Sequence, residues 1–472
     1  MAKRQLIAGV DSSTQSVKVV IRDSNTGELV RQGRASHPDG TEVNPVHWLN
    51  GLKTAISDAG GMEDVAAISV AGQQHGMVAL DSNGEVIRDA LLWNDVRSAQ
   101  SADDLNREAG GDIEIAKKVG SKLVASFTAS KLRWLAEHEP ENAAKTASVA
   151  LPHDWLSWQL QGGKDFTNLF TDRSDASGTG YFDPSTSQYR QEMIELAIGS
   201  NRQLHLPRIV SASEFGGKTQ GGLIKDGIPI AAGAGDNAAA ALGLQAQPGD
   251  VVVSLGTSGT AFAVSQTPTH DPSGSVAGFA DATGRFLPLV CTLNAARILD
   301  AACQMLGKTH DEIGQLAISA EPGAHGLTLL PYFEGERTPN RPNATGVLSG
   351  MNINNSNPAD IARAMIEGML SGLADAVDSL VALGVKVERI LLIGGAAKNP
   401  AVPIIASSLF GREVLVPPIG EYVANGAAKQ AAWALLGQMP QWDLGKVEHQ
   451  TSVPTPGVME KYRTLKEKTT QW

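Results

Sequence analysis

Short apolar runs that end in small polar residues recur along the chain and predict alternating strands and helices. Residues 6–10 have the pattern of a buried strand, residues 11–16 form a Ser/Thr-rich loop, and residues 17–21 form a second strand. The same order of strand, small polar loop and strand recurs over residues 251–264. Because the two copies lie far apart in the chain, they predict two related lobes whose loops meet across a cleft and bind one polyphosphate.

A second pattern is the apolar run of residues 229–232, which ends in Gly233-Ala234-Gly235-Asp236-Asn237. The alanine-rich residues that follow predict a helix. The two glycines allow a tight turn and the close approach of a ligand to the main chain. Asp236 and Asn237 either cap the helix, which is the commoner role of such a pair, or lie at the mouth of a cleft.

Two loops in the first half combine amide, carboxylate, imidazole and aromatic groups. The residues concerned are Gln73, Gln74, His75, Trp93, Asn94 and Asp95. Neutral polar groups bind hydroxyls and an aromatic face covers C–H surface, so this mixture suits a polyol. A lone histidine is more often structural, and it is the combination of two loops that favours binding.

The second half carries a long helical pattern and a glycine pair. Asn357-Pro358 predicts the start of a helix that runs to Leu383 and stops before Gly384. Residues 389–393 predict a buried strand that ends in Gly394-Gly395. Such a pair permits the close approach of a flat group such as adenine, and a plain tight turn is the alternative.

Composition narrows the class of protein. A chain of 472 residues exceeds what one hydrophobic core serves, which predicts two domains. The net charge of −11 disfavours nucleic acid and anionic membranes as partners. No uninterrupted apolar stretch approaches the roughly 20 residues of a membrane span.

The two cysteines, Cys291 and Cys303, are expected on a single helix. Their spacing then separates them by about 18 Å, beyond the Cα distance of about 7 Å that a disulfide tolerates. We therefore expect buried thiols in a reducing compartment. The chain enters its first strand by Leu6, which leaves no room for a signal peptide, so we expect a cytoplasmic protein.

Taken together and in order, these motifs resemble the FGGY carbohydrate kinases. The resemblance runs from about residue 6 to residue 436. Within the family, residues 73–76 and 93–95 are similar to the xylulokinase version. The motifs are Asp11 to Thr14, residues 72–76, residues 92–95, residues 174–179, residues 235–237, residues 254–259, residues 335–339 and Gly394-Gly395.

The resemblance implies a fold and an activity. The fold is α/β, with two actin-like, ribonuclease-H-like lobes, here residues 1–244 and 245–472, around a nucleotide and sugar cleft. The activity is the ATP-dependent phosphorylation of D-xylulose at its primary 5-hydroxyl, giving D-xylulose 5-phosphate and ADP. The implied ligands are a sugar, ATP and Mg²⁺. The oligomeric state stays open between a monomer and a homodimer.

Positions matching the family's motifs receive roles from the resemblance. Asp236 would be the catalytic base, with the ordinary carboxylate pKa of about 4, and Asp11 would lie near Mg²⁺ and the transferred phosphate. Both carboxylates are the expected metal ligands. The expected sugar contacts are Gln74, His75, Trp93, Asn94, Asp236 and Asn237. The expected nucleotide contacts are Ser13, Thr14, Lys18, Gly256, Thr257, Gly394, Gly395, Lys398 and Asn399.

Three positions depart from the family pattern. Ser13 stands where the family usually has glycine, which makes a positive φ harder for the first phosphate loop. Gln74 stands in place of the more usual methionine, so that a side-chain contact there would be new. Ala396 replaces a third glycine and would tighten the adenine pocket.

Two other functions stay open. One is a family kinase for another substrate, such as ribulose, ribitol, gluconate or a deoxyketose. The other is an ATPase switch of the actin or chaperone type, which would have no need for Gln74, His75, Trp93 and Asn94 opposite Asp236. A non-catalytic sugar sensor is disfavoured because Asp11 and Asp236 are both present.

Overall fold

The computed structural model describes residues 4–199 and 202–470. The chain divides into two compact units that are interleaved along the sequence. The first unit comprises Met1–Gln245, Gln266–Leu287 and Glu421–Asp443, and the second comprises Ala246–Ser265, Pro288–Gly420 and Leu444–Trp472. Two segments beyond residue 245 therefore belong to the first unit, which differs from the expected bounds of 1–244 and 245–472.

Strands and helices alternate along the described chain, as the apolar pattern predicts. The strands are β1 (Leu6–Ser12), β2 (Ser16–Asp23), β3 (Leu29–Ser36), β4 (Glu42–Val43), β5 (Val65–Gly72), β6 (Val78–Leu80), β7 (Ala90–Leu91), β8 (Ser148–Ala150), β9 (Phe170–Asp172), β10 (Phe182–Asp183), β11 (Gln188–Tyr189), β12 (Arg208–Val210), β13 (Phe215–Lys218), β14 (Pro229–Ala231), β15 (Ala234–Gly235), β16 (Asp250–Leu255), β17 (Gly259–Ala263), β18 (Ala277–Ala280), β19 (Phe286–Thr292), β20 (Thr328–Leu330), β21 (Val347–Ser349), β22 (Arg389–Ile393), β23 (Val414–Val416) and β24 (Glu448–Gln450). The α-helices are α1 (Val46–Asp58), α2 (Ala99–Glu108), α3 (Asp112–Val119), α4 (Thr128–His138), α5 (Pro140–Lys145), α6 (Pro152–Gln159), α7 (Arg173–Ala176), α8 (Gln191–Ile198), α9 (Asp236–Gly243), α10 (Ala296–Leu306), α11 (His310–Ser319), α12 (Pro358–Ala382), α13 (Ala401–Phe410), α14 (Tyr422–Leu436) and α15 (Pro456–Lys468).

The first unit is built on a mixed sheet with the strand order β13-β14-β5-β1-β2-β3, and β15 also pairs with β5. β1, β14 and β15 each run parallel to β5, whereas β2 runs antiparallel to β1. β1 and β5 are buried along nearly their whole length. Such burial is typical of strands that helices cover on both faces, and it explains their continuous apolar runs.

Glycines let the main chains of this unit approach closely. A Cβ atom at Gly9 in β1 would lie 2.0 Å from the carbonyl oxygen of Ala424 in α14. A Cβ atom at Gly426 in α14 would lie 1.8 Å from the carbonyl oxygen of Ala239 in α9. Because neither space admits a methyl group, small residues let α14 pack directly on both β1 and α9.

The second unit repeats the strand pattern of the first. Its sheet contains β19-β17-β16-β22-β23-β24 in that order. β16 is antiparallel to β17 and parallel to β22, just as β1 is antiparallel to β2 and parallel to β5. The predicted recurrence of strand, small polar loop and strand is thus confirmed.

The long helix of the second half is also confirmed. α12 begins at Pro358 and ends at Ala382, and the side chain of Asn357 accepts hydrogen bonds from the backbone of Ala359 and Asp360. An amide cap followed by proline satisfies the first N–H groups of a helix and fixes its first φ. The helix's apolar face is core, as its spacing predicts.

The prediction that both cysteines lie on one helix is wrong. Cys291 belongs to β19 and Cys303 to α10. Both side chains are partly exposed, so they are not the buried thiols expected. The periodicity of a short apolar run does not distinguish a buried strand from part of a helix, which explains the error.

Within residues 4–199 and 202–470, no helix combines the length and the apolar character that a membrane span requires.

The close contact between α14 and α9 can be tested with Gly426→Ala. The added methyl group must push the two helices apart, so we expect a lower melting temperature and a loss of about 1–3 kcal/mol of stability. Thermal unfolding followed by circular dichroism measures the change. Gly457→Ala is the matched control, because no atom lies within 4 Å of a Cβ atom at that position. An unchanged melting temperature in Gly426→Ala would show that the helices are not held this tightly.

Candidate active site

Three parallel strands of the first unit end side by side. Ser12 at the end of β1 is level with Gly72 at the end of β5, and Gly72 is level with Gly235 at the end of β15. Ligand-binding groups of α/β proteins gather at the carboxyl ends of such strands. The register therefore brings together Asp11, the loop that begins at Gln73, and Asp236.

Asp236 is the first residue of α9. The residue that caps this helix is Gly235, and no side chain forms the cap hydrogen bond. The interpretation of Asp236 and Asn237 as a plain helix cap is therefore not supported. Instead, the main-chain N–H and the Nδ2 of Asn237 donate to Oδ1 of Asp236, at 2.7 and 2.8 Å. Asn237 thus orients the carboxylate directly.

Residues distant in sequence hold the turn that precedes Asp236. Gln430 of α14 accepts from the N–H of Gly233 at 2.9 Å and donates to its carbonyl oxygen at 2.7 Å. The hydroxyl of Ser69 donates to the same Gln430 oxygen, at 2.7 Å. The N–H of Gly235 donates to the hydroxyl of Ser174 at 3.1 Å. The turn is therefore fixed from two sides by buried polar groups.

The electrostatic environment of Asp236 differs from expectation. The residue is half-buried, and burial raises the pKa of its carboxyl group to about 7, opposed by the hydrogen bonds from Asn237 and assisted by the Asp11 carboxylate. The expected pKa of about 4 is therefore corrected. Two carboxylates near each other in a desolvated place disfavour ionisation of both.

Asp11 is buried and carries its own partners. The hydroxyl of Ser13 donates to Oδ1 of Asp11 at 2.6 Å, and Nζ of Lys18 lies 3.6 Å from Oδ2. Lys18 also pairs with Glu421 at 2.6 Å. Burial raises the pKa of Asp11, and the charge of Lys18 opposes that change. Ser13 does not take a positive φ, so this departure from the family pattern adds a hydrogen bond without backbone strain.

A chain of hydrogen bonds joins the first polar loop to the expected sugar residues. The indole Nε1 of Trp93 donates to the hydroxyl of Thr14 at 2.9 Å, and that hydroxyl donates to Oε1 of Gln73 at 3.3 Å. Asn94 is half-buried, and its Nδ2 donates to the carbonyl oxygen of Gly40 at 3.4 Å. Thr14, expected at a phosphate, thus bonds to Trp93 and Gln73.

Three buried polar atoms near these residues lack a hydrogen-bond partner within the described chain. They are Ser12 Oγ, Gln73 Nε2 and Asn94 Oδ1. Buried polar groups in native proteins are nearly always satisfied, so these unpartnered atoms indicate a place for water or a hydroxylated ligand. One donor, one acceptor and one hydroxyl together match the groups of a polyol.

Gln74 and His75 point toward residues 174–178. Gln74 Nε2 donates to the carbonyl oxygen of Ser174 at 2.7 Å, and His75 Nδ1 lies 2.6 Å from the carbonyl oxygen of Gly178. A carbonyl oxygen only accepts, so Nδ1 carries the proton. The His75 ring lies 5.0 Å from Phe127 and its φ is 70°. A non-glycine residue held at positive φ is a frequent mark of a functional site.

Behind this site lies a buried cluster that the sequence analysis missed. His153 Nδ1 lies 3.3 Å from Asp154, and its Nε2 lies 3.4 Å from both Asp172 and Asp175. All four side chains are almost completely buried. The one sequence signal was a Pro-His-Asp stretch directly after a short apolar run, which is too common to single out.

The second unit holds the other polar loop. Gly256 and Thr257 are exposed at the turn between β16 and β17. The N–H of Ala296 donates to the carbonyl oxygen of Gly256 at 2.9 Å. Buried Glu336, in the motif of residues 335–339, accepts from the N–H of Leu293 at 2.6 Å and so fixes the segment that supports the loop.

The residues expected around adenine divide into two groups. Gly395 and Lys398 are exposed. A Cβ atom at Gly394 would lie 2.4 Å from the carbonyl oxygen of Leu255, so glycine is required there by the neighbouring strand. Asn399 is buried, and its Nδ2 donates to the carbonyl oxygen of His310 at 2.6 Å. Its amide therefore joins α11 to the start of α13. Ala396 is buried in a single 3₁₀ turn, Gly395–Lys398.

Two family models match almost the whole chain. The N-terminal domain of the FGGY family of carbohydrate kinases matches residues 6–243, and its C-terminal domain matches residues 251–435. A Streptomyces coelicolor protein named xylulose kinase is 44% identical over 446 residues, which cover 93% of this chain and 89% of that protein. The Escherichia coli protein of the same name is 34% identical over 441 residues, covering 90% and 89%.

Solved structures agree with these matches. The crystal structure of xylulose kinase from Bifidobacterium adolescentis has a TM-score of 0.90 and 46% identity, covering 98% of this chain and 99% of that one. The structure of Plasmodium falciparum glycerol kinase with ADP has a TM-score of 0.87 at 21% identity, covering 99% of both chains, and shows likeness of fold alone. The chain is an α/β protein with two domains and belongs to the FGGY family of carbohydrate kinases.

Proposed function

We propose that this protein transfers the γ-phosphoryl group of ATP to the primary 5-hydroxyl of D-xylulose, with Asp236 as the general base. Relatives named xylulose kinase, 43–44% identical over most of the chain, support the substrate. The observation that carries the proposal is the position of Asp236. Its carboxylate follows a strand edge shared with Asp11 and with Gln73, one of the residues with an unpartnered buried polar atom.

The transfer is an in-line displacement at phosphorus. The bond from the 5-oxygen of the sugar to the γ-phosphorus forms while the bond from that phosphorus to the β–γ bridging oxygen breaks, and ADP leaves. The hydroxyl proton passes to Asp236. Because burial raises the pKa of this carboxyl group to about 7, it accepts a proton more readily than an ordinary carboxylate does.

Other residues of the first unit orient the sugar and neutralise charge. We propose that Gln74, His75, Trp93, Asn94 and Asn237 orient the sugar. Lys18 neutralises charge next to Asp11, in the manner that a loose, metaphosphate-like transition state requires. In the second unit, the exposed Gly256, Thr257 and Gly395 offer main-chain groups to the nucleotide.

Magnesium suits the carboxylates of this site. Asp11 and Asp236 offer hard oxygen ligands. The Asp236 carboxylate raises the pKa of Asp175, and the Asp11 carboxylate raises the pKa of Asp236, as expected where no cation neutralises the negative charge. Mg²⁺ typically takes one or two carboxylates together with phosphate oxygens. When bound, it would neutralise charge on the β- and γ-phosphates.

Another ketose or polyol is the main alternative substrate. A coupled assay of ADP release with D-xylulose, ribulose, ribitol, gluconate and a deoxyketose distinguishes these. We expect the highest kcat/KM for D-xylulose. A higher value for another sugar would reassign the substrate, and ATP turnover that no sugar increases would favour an ATPase switch.

Asp236→Asn tests the assignment of the base. The amide preserves the shape of the side chain and cannot take the proton, so we expect kcat to fall by roughly 10²–10⁴-fold. Binding of D-xylulose, measured by isothermal titration calorimetry, should remain. Asp103→Asn is the control, because Asp103 is an exposed residue of α2. Near-normal turnover of Asp236→Asn would refute this role.

Gln73→Leu tests the inference from the unpartnered buried atoms. Leucine keeps the approximate volume but removes Nε2 and the acceptor for Thr14. A buried hydrogen-bonding group left without a partner costs about 1–3 kcal/mol, so we expect the KM for D-xylulose to rise roughly tenfold or more. The KM for ATP should change little. Gln100→Leu, at an exposed position of α2, is the control. Equal changes in both KM values would contradict a specific role in sugar binding.

A further inference from the structure

The buried cluster behind the candidate site consists of one histidine and three aspartates. His153 lies within 3.4 Å of Asp154, Asp172 and Asp175, and none of these side chains is more than 3% exposed. Burying so many ionisable groups is costly unless charges are paired. Such a cluster therefore needs a reason beyond simple packing of the core.

Two of the three aspartates, Asp154 and Asp172, each fix a different piece of main chain. Asp154 Oδ2 accepts from the N–H of Leu151, at the start of α6. Asp172 accepts from the N–H groups of Ser174 and Asp175 and thereby caps α7. His153 is the second residue of α6 and its ring reaches Asp172 and Asp175, so it links the start of α6 to residues 172–175.

Residues 174–178 in turn contact both the loop that carries Gln74 and His75 and the turn that precedes Asp236. The carbonyl oxygen of Ser174 accepts from Gln74, and that of Gly178 lies 2.6 Å from His75 Nδ1. The hydroxyl of Ser174 accepts from the N–H of Gly235, the residue before Asp236. One short segment thus positions the expected sugar ligands and the expected base.

His153 also packs against the end of β5 and against the turn between β14 and β15. A Cβ atom at Gly233 would lie 2.9 Å from Cε1 and from Nδ1 of His153. A Cβ atom at Gly72 would lie 3.2 Å from the Cβ of His153. The imidazole therefore packs against the turn that leads to Asp236, while the main chain and Cβ of His153 pack against the end of β5.

We propose that His153, as an imidazolium held by Asp154, Asp172 and Asp175, is a positioning residue for phosphoryl transfer. It holds residues 172–178 so that Gln74, His75 and Asp236 face the sugar together. The inference rests on the proposed function. Burial alone would lower the pKa of His153, but the three carboxylates outweigh it and raise that pKa to about 10, so the ring is charged at neutral pH.

His153→Gln is the central test, because it removes the charge and keeps a polar side chain. Enzyme concentration is determined as ADP-binding sites by isothermal titration calorimetry, so that unfolded protein is not counted. A misplacement of about 1 Å can cost roughly 10²-fold in rate. We expect kcat per ADP-binding site to fall by that order, the KM for D-xylulose to rise, and the Kd for ADP to stay unchanged.

Two further variants keep the test informative if His153→Gln does not fold. His153→Lys retains a cation and should recover part of the lost kcat. Ser174→Ala leaves the buried charges intact, removes the acceptor for Gly235, and should lower kcat in the same direction. His310→Gln is the matched control, because His310 is an exposed histidine paired with Asp300.

Some outcomes would overturn the proposal. Fewer ADP-binding sites with an unchanged kcat per site would show that His153 only stabilises the fold. Stoichiometric zinc or another transition metal, detected by mass spectrometry and removed by a chelator together with the activity, would make this cluster a metal site instead. A wild-type protein that phosphorylates no sugar would refute the proposed function separately, before any variant is compared.

Discussion

The candidate site depends on the hydrogen-bond register of three parallel strands. β1, β5 and β15 end at the same level, so that the residues after each strand project from one edge of the sheet. A shift by one residue would turn Asp11 to the opposite face of its strand. The shared edge also explains the electrostatics. Burial raises the pKa values of Asp11 and Asp236, and the neighbouring Asp11 carboxylate raises that of Asp236 further.

Glycines at close contacts make this arrangement of strand ends possible. Gly9 lets α14 lie directly on β1, and that contact brings Gln430 of α14 within hydrogen-bonding distance of Gly233. The glycines at 233 and 235 make room for His153 and Gln74 respectively. The Gly-x-Gly turn is therefore explained by the space that its neighbours need and, at Gly233, by a φ of 84° that favours glycine. A carboxylate on a turn fixed from several sides loses little entropy when the substrate binds.

Local sequence patterns predicted the strands and helices well, but they did not predict the hydrogen bonds between residues far apart in the chain. The repeated strand pair, the helix from Asn357 and the helix after Asn237 follow from periodicity and cap residues. Gln430 could not be assigned this way, because its partner Gly233 lies 197 residues away. The sequence signal for Gln430 was a Lys-Gln pair within an otherwise alanine-rich helix. The raised pKa of Asp236 depends on burial and on Asp11, which no sequence spacing reports.

Ser13 and Gln74, which depart from the family pattern, each form a hydrogen bond with a neighbouring group of the protein. Ser13 donates to Asp11 and therefore stabilises its anion, which burial disfavours. Gln74 uses its amide to hold the carbonyl oxygen of Ser174, so its polar group is satisfied within the protein. A buried amide with a fixed partner is costly to reorient. The Gln74 side chain thus contributes rigidity to the candidate site, and the unpartnered Nε2 of the neighbouring Gln73 remains able to donate a hydrogen bond.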